Sequence, residues 1–377
     1  MEFNVSSSLL LKKLQAVGSV VSSNPTLPVL ENFLFDVQND KITIFASDLE
    51  NSIIMDIEAE IISTGKCTIP AKLLQDVLKS FTDQPLTIKE RGDSAVEIIS
   101  LHGTHNLTGY DATDFPKIPA VKNGTTIKVQ SADFMNGVLS TIFCAGDDDM
   151  RPAMSGVFIE FSPEGSVFVA TDSHRLVKYN RKDIVADTKN SFILPRKPAT
   201  ILKNLLSGEN QEVEISFNAK TASIQFGTTI LFARLIDAKF PNYEAVIPQN
   251  NPYKLTIDRQ GLLSSVKRVA LLSNKLTHQV RLDIKDNKVE VSSQDLDYGN
   301  SAVEHLPCAF EGIEGLQIAF NAKYLQEMLS NLKASTISIE MSAPNRAAIL
   351  VELDEAGVSS NENLIMLVMP IMVPTYA

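Results

Sequence analysis

The chain has 377 residues, 34 basic and 45 acidic side chains and a net charge of −11, with 44% hydrophobic and 21% charged residues. That is the make-up of a soluble globular protein too long for one ordinary core, and about three domains suit it. Cys67, Cys144 and Cys308 are scattered and odd in number, against a disulfide framework or zinc site; no apolar run is long enough to span a bilayer, and Met1-Glu2-Phe3-Asn4 lacks the parts of a signal peptide. Together these point to a reduced, cytoplasmic compartment.

In chain order, a helix is predicted over about 6–22, with Leu9, Leu10, Leu14 and Val17 on its apolar face. An alternating strand at 32–37 follows, then Ile44-Phe45-Ala46-Ser47-Asp48-Leu49-Glu50, a second helix at 71–81, and strands at 86–89 and 96–100. The order then recurs. A helix at 131–145 precedes a strand at 156–161, the segment Val167 to Leu176 reading VFVATDSHRL, a helix at 196–207 and a strand at 212–217. A third round has a helix at 258–274, a strand at 279–284, Val289-Glu290-Val291-Ser292-Ser293-Gln294-Asp295, and a helix at 322–333. Ser131 and Asp258 fit N-caps, turns at Asn39-Asp40 and Pro163-Glu164-Gly165 close hairpins, and linkers fall near 120–126 and 248–252.

The spacing is regular. Asp48 to Asp172 is 124 residues and Asp172 to Asp295 is 123; Pro70 to Pro195 is 125 and Pro195 to Asn321 is 126. The first two rounds also close alike, on Asp111-Ala112-Thr113-Asp114-Phe115-Pro116 and Asp237-Ala238-Lys239-Phe240-Pro241. Four matches in order indicate duplication, so the fold class is α+β: three tandem repeats, mainly sheet with two helices on one side. The domains are placed at 1–122, 127–249 and 253–377.

Charge is partitioned among these elements. The six predicted helices hold twelve basic residues against four acidic ones, which leaves 22 of the 34 basic and 41 of the 45 acidic residues elsewhere. Basic helices on an acidic scaffold suit a face directed at a polyanion. Lys72, Lys197 and Lys323 recur at the start of the second helix, where the macrodipole disfavours a cation, and phosphate neutralisation without base specificity is one reason to repeat that placement.

Support for catalysis is thin. Consecutive Asp147, Asp148 and Asp149 cannot all point at one ion, and His174 between Asp172 and Arg175 lacks a partnered nucleophile. GxGxxG, GxxxxGK[ST], CxxC and HExxH do not occur. No enzyme activity, metal or cofactor is expected. Two rivals stay open: a metal-dependent nuclease or phosphatase using Asp147 to Asp149 and His174, and a monomeric three-repeat scaffold that does not bind DNA.

The repeat, LPVLENF at 27–33, ATDSHRL at 170–176, FPNYEAVIP at 240–248 and VMPIM at 368–372 resemble the bacterial DNA polymerase III beta subunit, the sliding clamp, over the full chain. The resemblance implies three copies of the DNA clamp fold, two of these chains closing head to tail into a ring, helices lining the hole and sheets on the rim. The partners it implies are double-stranded DNA without sequence preference, a second copy of the chain, the clamp loader, the replicative polymerase catalytic subunit, and other polymerases and mismatch-repair proteins.

It further implies a cleft for short peptide motifs at Met154, Thr171, His174, Arg175, Leu176, Pro241, Val246, Val368, Met369, Pro370 and Met372, with Leu176 and Val246 equally readable as core. Methionines suit a surface that adapts to several partners. The apolar stretch Leu364 to Met372 must either complete a sheet or line a groove. At the ring interface the pattern sets Leu271 and Leu272 against His105 and Leu107, though both leucines also fit internal core. The DNA-facing set is Lys12, Asn24, Lys72, Arg151, Arg196, Lys197 and Lys323. Asn24 stands where many such clamps have a basic residue, and Pro152-Ala153 where aromatics often lie; Lys72 and Arg151 keep charge nearby.

Overall fold

The computed structural model describes residues 1–92, 94–117, 121–148, 150–206, 210–353 and 361–372. Asp149, Ala120 and Ser207, named above, lie outside them. Six α-helices occur among the described residues: α1 (Ser7–Val17), α2 (Ala71–Lys79), α3 (Ser131–Ile142), α4 (Arg196–Leu205), α5 (Arg259–Ala270) and α6 (Ala322–Asn331). Side chains take up free N–H groups at three of the starts: Ser6 accepts from the Leu9 amide, Asp258 from Gly261 and Asn321 from Lys323. Ser131 is the first residue of α3 rather than a residue preceding it.

The first helix of each repeat is shorter than its apolar pattern predicts. α1 stops at Val17 and passes into a 3₁₀ turn, Gly18–Val20; α3 stops at Ile142 and α5 at Ala270. The apolar residues past these ends are still buried, Val20 at one and Cys144 with Ala145 at another. A turn that folds back over the core hides them as well as a helix would, and periodicity cannot tell the two apart.

The chain divides into two compact units, Met1–Met135 with Leu194–Asp237, and Asn136–Ile193 with Ala238–Ala377. The central repeat is thus shared between them, and the reason lies in the sheets. In the first unit a five-stranded sheet runs Glu60–Ser63, Glu2–Ser6, Pro85–Gly92, Ala95–Ser100, Gly103–Thr108. An eight-stranded sheet joins strands of the first and central repeats, because Asn51–Ile57 pairs antiparallel with Thr229–Arg234, Ile53 opposite Leu231. α1 and α2 pack side by side, and Leu10, Leu14, Val17, Leu74 and Leu78 are buried with Phe3, Phe33 and Phe35.

The second unit repeats the plan. Arg175–Arg181 pairs antiparallel with Glu362–Val368, Val177 opposite Met366, which carries a nine-stranded sheet from the central into the third repeat. A four-stranded sheet runs Asn300–Pro307, Lys288–Asp295, Gln279–Lys285, Leu316–Asn321, and α5 packs on α6. The apolar tail therefore completes a sheet over Glu362–Val368, one of the two fates left open by its sequence. Asn251, in the predicted linker 248–252, is buried and donates to the Glu340 and Ala347 carbonyls.

α3 sits tightly on the strand that leads to the conspicuous turn. A Cβ on Gly137 would lie 2.6 Å from the ring of Phe168, which is wholly buried in Gly165–Thr171. Gly137→Ala is expected to destabilise the protein by about 1–3 kcal/mol through overpacking, despite the better helix propensity of alanine. The urea midpoint of unfolding reads this, and the smaller side chain of Phe168→Leu should recover part of the loss.

Candidate peptide groove and nucleic-acid-facing surfaces

The turn after Gly165–Thr171 is built by its own polar groups. Asp172 Oδ1 accepts from the amides of His174 and Arg175, each at 2.9 Å, and Thr171 Oγ1 donates to the Arg175 carbonyl at 2.7 Å. Ser173 is thereby held at φ 76°. The first repeat has the same frame: Asp48 Oδ1 accepts from Glu50 at 2.9 Å and Asn51 at 2.5 Å, with Leu49 at φ 77°. A short aspartate closing its own turn is why this residue recurs at the repeat spacing.

The central turn adds Arg175. Its side chain is 8% exposed, pairs with Asp172 Oδ2 at 2.9 Å and with Glu327 of α6, and donates to the Phe143 carbonyl. The guanidinium also lies 4.6 Å from the Tyr324 ring centroid, and Tyr324 stacks on His174. Burial pushes the neighbouring Cys144 thiol far up, leaving it a neutral core residue. Tyr324 and Glu327 were not singled out in the sequence. Their i, i+3 spacing on one helix face was the available signal.

Strand alternation sorts the expected groove residues. Arg175 and Val368 are opposite each other in the ladder and point toward α6, with Val368 fully buried. They share the face of the sheet that meets α6. Leu176 and Leu367, opposite each other in the ladder, point the other way and are buried. Of the other residues expected there, Met154, Pro241 and Pro370 are half-buried, and Val246 (57%), Met369 (41%) and Met372 (75%) are exposed. Val246 is therefore not core.

Six contacts fix the segments that carry these residues. Phe158 stacks on Phe240 at 4.9 Å, anchoring the segment that carries Pro241 and Val246, and Lys178 pairs with Glu244 at 2.5 Å over the Tyr243 ring. Met369 donates its amide to the His174 carbonyl at 2.8 Å and Ile371 to the Ala319 carbonyl at 2.7 Å, which straps down the tail as far as Ile371. Ser173 Oγ accepts from Arg151 at 2.5 Å and donates to Met154 Sδ. Burial, then Glu244, raises the Tyr243 phenol to about 12, so it stays neutral.

The DNA-facing set divides. Lys72, Lys197 and Lys323 are each the second residue of their helix and exposed, as are Lys12 and Asn24. Lys197, however, is paired with Asp48 at 2.5 Å, and Arg151 with Asp148 at 2.9 Å. The Met150 amide and Arg151 hold the Asp148 carboxyl below its usual range. Arg268 and Lys79, also counted as basic helix residues, pair with Glu304 and Asp76. Fewer cations are free than the count suggests. Among the described residues no group of three His, Cys, Asp or Glu could hold a metal ion.

Of the interface residues, Leu271 and Leu272 are 82% and 39% exposed just past α5, so neither is internal core. Leu107 is buried on Gly103–Thr108, and His105 meets the Phe81 ring edge-on at 5.3 Å with its buried Nδ1 unpartnered.

Models of the DNA polymerase III beta subunit match in three parts: the N-terminal domain over residues 1–119, the central domain over 128–242 and the C-terminal domain over 244–371. The chain is 28% identical to the beta sliding clamp of Synechococcus elongatus, covering 95% of this chain and 96% of that one, and 27% identical to that of Vibrio cholerae, covering 98% and 100%. A crystal structure of the Pseudomonas aeruginosa sliding clamp bound to griselimycin superposes with a TM-score of 0.92 at 26% identity, over 99% of this chain and 100% of that one. The Thermotoga maritima DNA polymerase III beta subunit superposes with a TM-score of 0.89 at 26% identity, over the same shares.

Because Arg175 is buried among several acceptors, Arg175→Met should lower stability by about 2–4 kcal/mol, leaving Asp172 without its charge partner. Glu327→Gln, at a half-exposed site, should cost under about 1 kcal/mol. Urea denaturation of the two variants checks the contrast.

Proposed function

The chain belongs to the DNA polymerase III beta subunit family and is a sliding clamp, a processivity factor of that polymerase, and from that membership we propose that two copies close head to tail into a ring around duplex DNA. The observation that carries the ring is a pair of open sheet edges. Asn300–Pro307 is an edge of the four-stranded sheet and Gly103–Thr108 an edge of the five-stranded one.

At both junctions within the chain, the strand after the aspartate turn pairs with the last strand of the next repeat: Ile53 opposite Leu231, Val177 opposite Met366. Asn300–Pro307 follows the third such turn and Gly103–Thr108 is the last strand of the first repeat. Extending the same register to a second copy sets Ala302 opposite the second copy's His105. Leu271 and Leu272 supply the apolar contact beside it. An unpaired, unshielded edge is a standing invitation to another strand.

In such a ring the six helices and their cations, Lys12, Lys72, Arg196 and Lys323 among them, face the duplex. Topology holds the DNA, so phosphate contacts can stay weak enough to slide. Lys197 and Arg151, already paired, and Asn24 favour that balance. The groove around Leu176 receives apolar peptide motifs of the polymerase catalytic subunit, the clamp loader and repair proteins in turn. The domains follow the repeats at 1–122, 127–249 and 253–377, and the chain performs no catalysis. The cytoplasm suits three unpaired cysteines; no described helix is long and apolar enough to cross a membrane.

Three measurements test this. Protein loaded on nicked circular plasmid should elute with the DNA and be lost when the plasmid is cut, at salt that suppresses phosphate contacts; persistence on linear DNA would overturn topological linkage. Leu272→Asp should give a monomer by light scattering, since it sets an unpaired charge in an apolar contact; an unchanged mass would refute that interface. Removal of residues 369–377, of which 373–377 lie outside the described residues, should abolish peptide binding in fluorescence anisotropy while the ring still assembles, and retained affinity would count against the groove.

A further inference from the structure

The strands Asn32–Val37, Ile42–Ser47, Asn51–Ile57 and Thr229–Arg234 lie side by side in the first unit. Alternation sends Phe33, Phe35, Ile44, Ile53 and Leu231 into the wholly buried core, and Leu34, Phe45, Ile54 and Phe232 to the other face, where they are half-buried. The outer face of an antiparallel sheet is ordinarily polar. This one carries a row of Thr68, Leu34, Phe45, Ile54 and Ile230, each opposite the next. Among the described residues the chain covers one end of that row. Thr68 Oγ1 donates to the Tyr110 carbonyl and accepts from the Tyr110 amide, each at 2.7 Å, and Phe115 forms a cluster with Val29 and Leu30 on which Leu34 and Phe45 pack. Beyond them is a cavity of about 1130 Å³, lined among others by Phe45, Ile54, Tyr110, Phe115 and Phe232.

The central repeat shows what covers such a row. Its counterpart is Phe158, Val169, Lys178 and Ile365, again opposite one another. Phe240 stacks on Phe158, the Tyr243 ring centroid lies 5.6 Å from the Lys178 ammonium, and Glu244 pairs with that lysine. The segment after Phe240-Pro241 therefore crosses the sheet from Phe158 to the strand of Lys178. Phe115-Pro116 stands 125 residues earlier and is followed by Lys117-Ile118-Pro119, which has neither the tyrosine nor the glutamate; 118 and 119 lie outside the described residues. Ile54 takes the place of Lys178 in the row. The cation is missing from the sheet, and the carboxylate that would meet it is missing from the segment.

We propose that this cavity is a second peptide site, which takes an extended segment of another protein, an aromatic side chain seated among Phe45, Ile54 and Phe232 and an aliphatic residue next to it. The internal copy supplies the form of the occupant, an aromatic ring laid on the outer face of the sheet. The isoleucine sets its chemistry, since a carboxylate beside that ring would be buried without a cation. Tyr110 supplies one wall, its side chain 47% exposed and its backbone held by Thr68. The site shares no residue with the groove around Leu176 and rests on neither that groove nor the ring. A chain with both sites can hold two partner segments at once.

The probes are the fluorescein-labelled peptide Asn-Tyr-Glu-Ala-Val-Ile-Pro, the sequence of 242–248, and the same peptide with Glu244→Leu. The full chain should bind the leucine peptide with a dissociation constant below about 100 μM in fluorescence anisotropy, and the glutamate peptide about tenfold more weakly. Ile54→Lys, which gives the row the lysine of the central repeat, should reverse that order. Tyr110→Ala leaves the backbone bonds to Thr68 in place and should weaken the leucine peptide by about fivefold or more. Removal of residues 369–377 should leave binding of the leucine peptide unchanged, so failure of this site and failure of the groove around Leu176 are read separately. Affinity below detection for both peptides, an order unmoved by Ile54→Lys, or loss of binding on the truncation would each overturn the proposal. Dimer formation abolished by Ile54→Lys in sedimentation velocity would also overturn it and give the face to a second copy.

Discussion

Strand pairing across repeat boundaries is the constraint on which the architecture depends. A repeat of this kind is a sheet with two edges, and each edge carries N–H and C=O groups that must find partners. Inside the chain the solution is direct: Asn51–Ile57 takes Thr229–Arg234 and Arg175–Arg181 takes Glu362–Val368. The compact units therefore follow sheets and cut through the central repeat. Duplication made the repeats alike, and pairing made them inseparable.

The aspartate turns are the second level. One carboxylate closes its own loop at Asp48 and at Asp172, forcing the next residue to positive φ. The closed loop is then a rigid arm that delivers a side chain to a neighbouring helix. In the central repeat that arm carries Arg175, whose bonds to Asp172, Glu327 and Phe143 fix the backbone that presents Leu176 and the His174 carbonyl, the acceptor of the Met369 amide. In the proposed groove, Met154, Met369 and Met372 would supply the adaptable part against that rigid backing.

Much of this was legible in the sequence because duplication wrote it more than once. The turn aspartates, the prolines before the second helices and the Phe-Pro closures marked the repeats without any structural knowledge. Helix ends were misjudged at Val17, Ile142 and Ala270, where buried turns carry on the apolar pattern of the helix. Which way a groove residue points was hidden for Arg175 and Val368, because facing direction follows from a ladder register set by a strand far away in the chain. Long-range ion pairs were equally invisible. Lys197 reads as a free cation until Asp48, 149 residues away in sequence, is found on it.

A junction between repeats of one chain differs from a junction between two chains in a way that bears on opening and closing. Junctions backed by a continuous chain enjoy a high effective concentration, so a ruptured contact there re-forms before the parts can diffuse away. A junction between two chains has no such tether, and its lifetime rests on the contacts themselves. In the proposed ring that asymmetry would make the intermolecular seam the weakest link under load. A ring built this way would open at a predetermined place, leaving its internal seams intact.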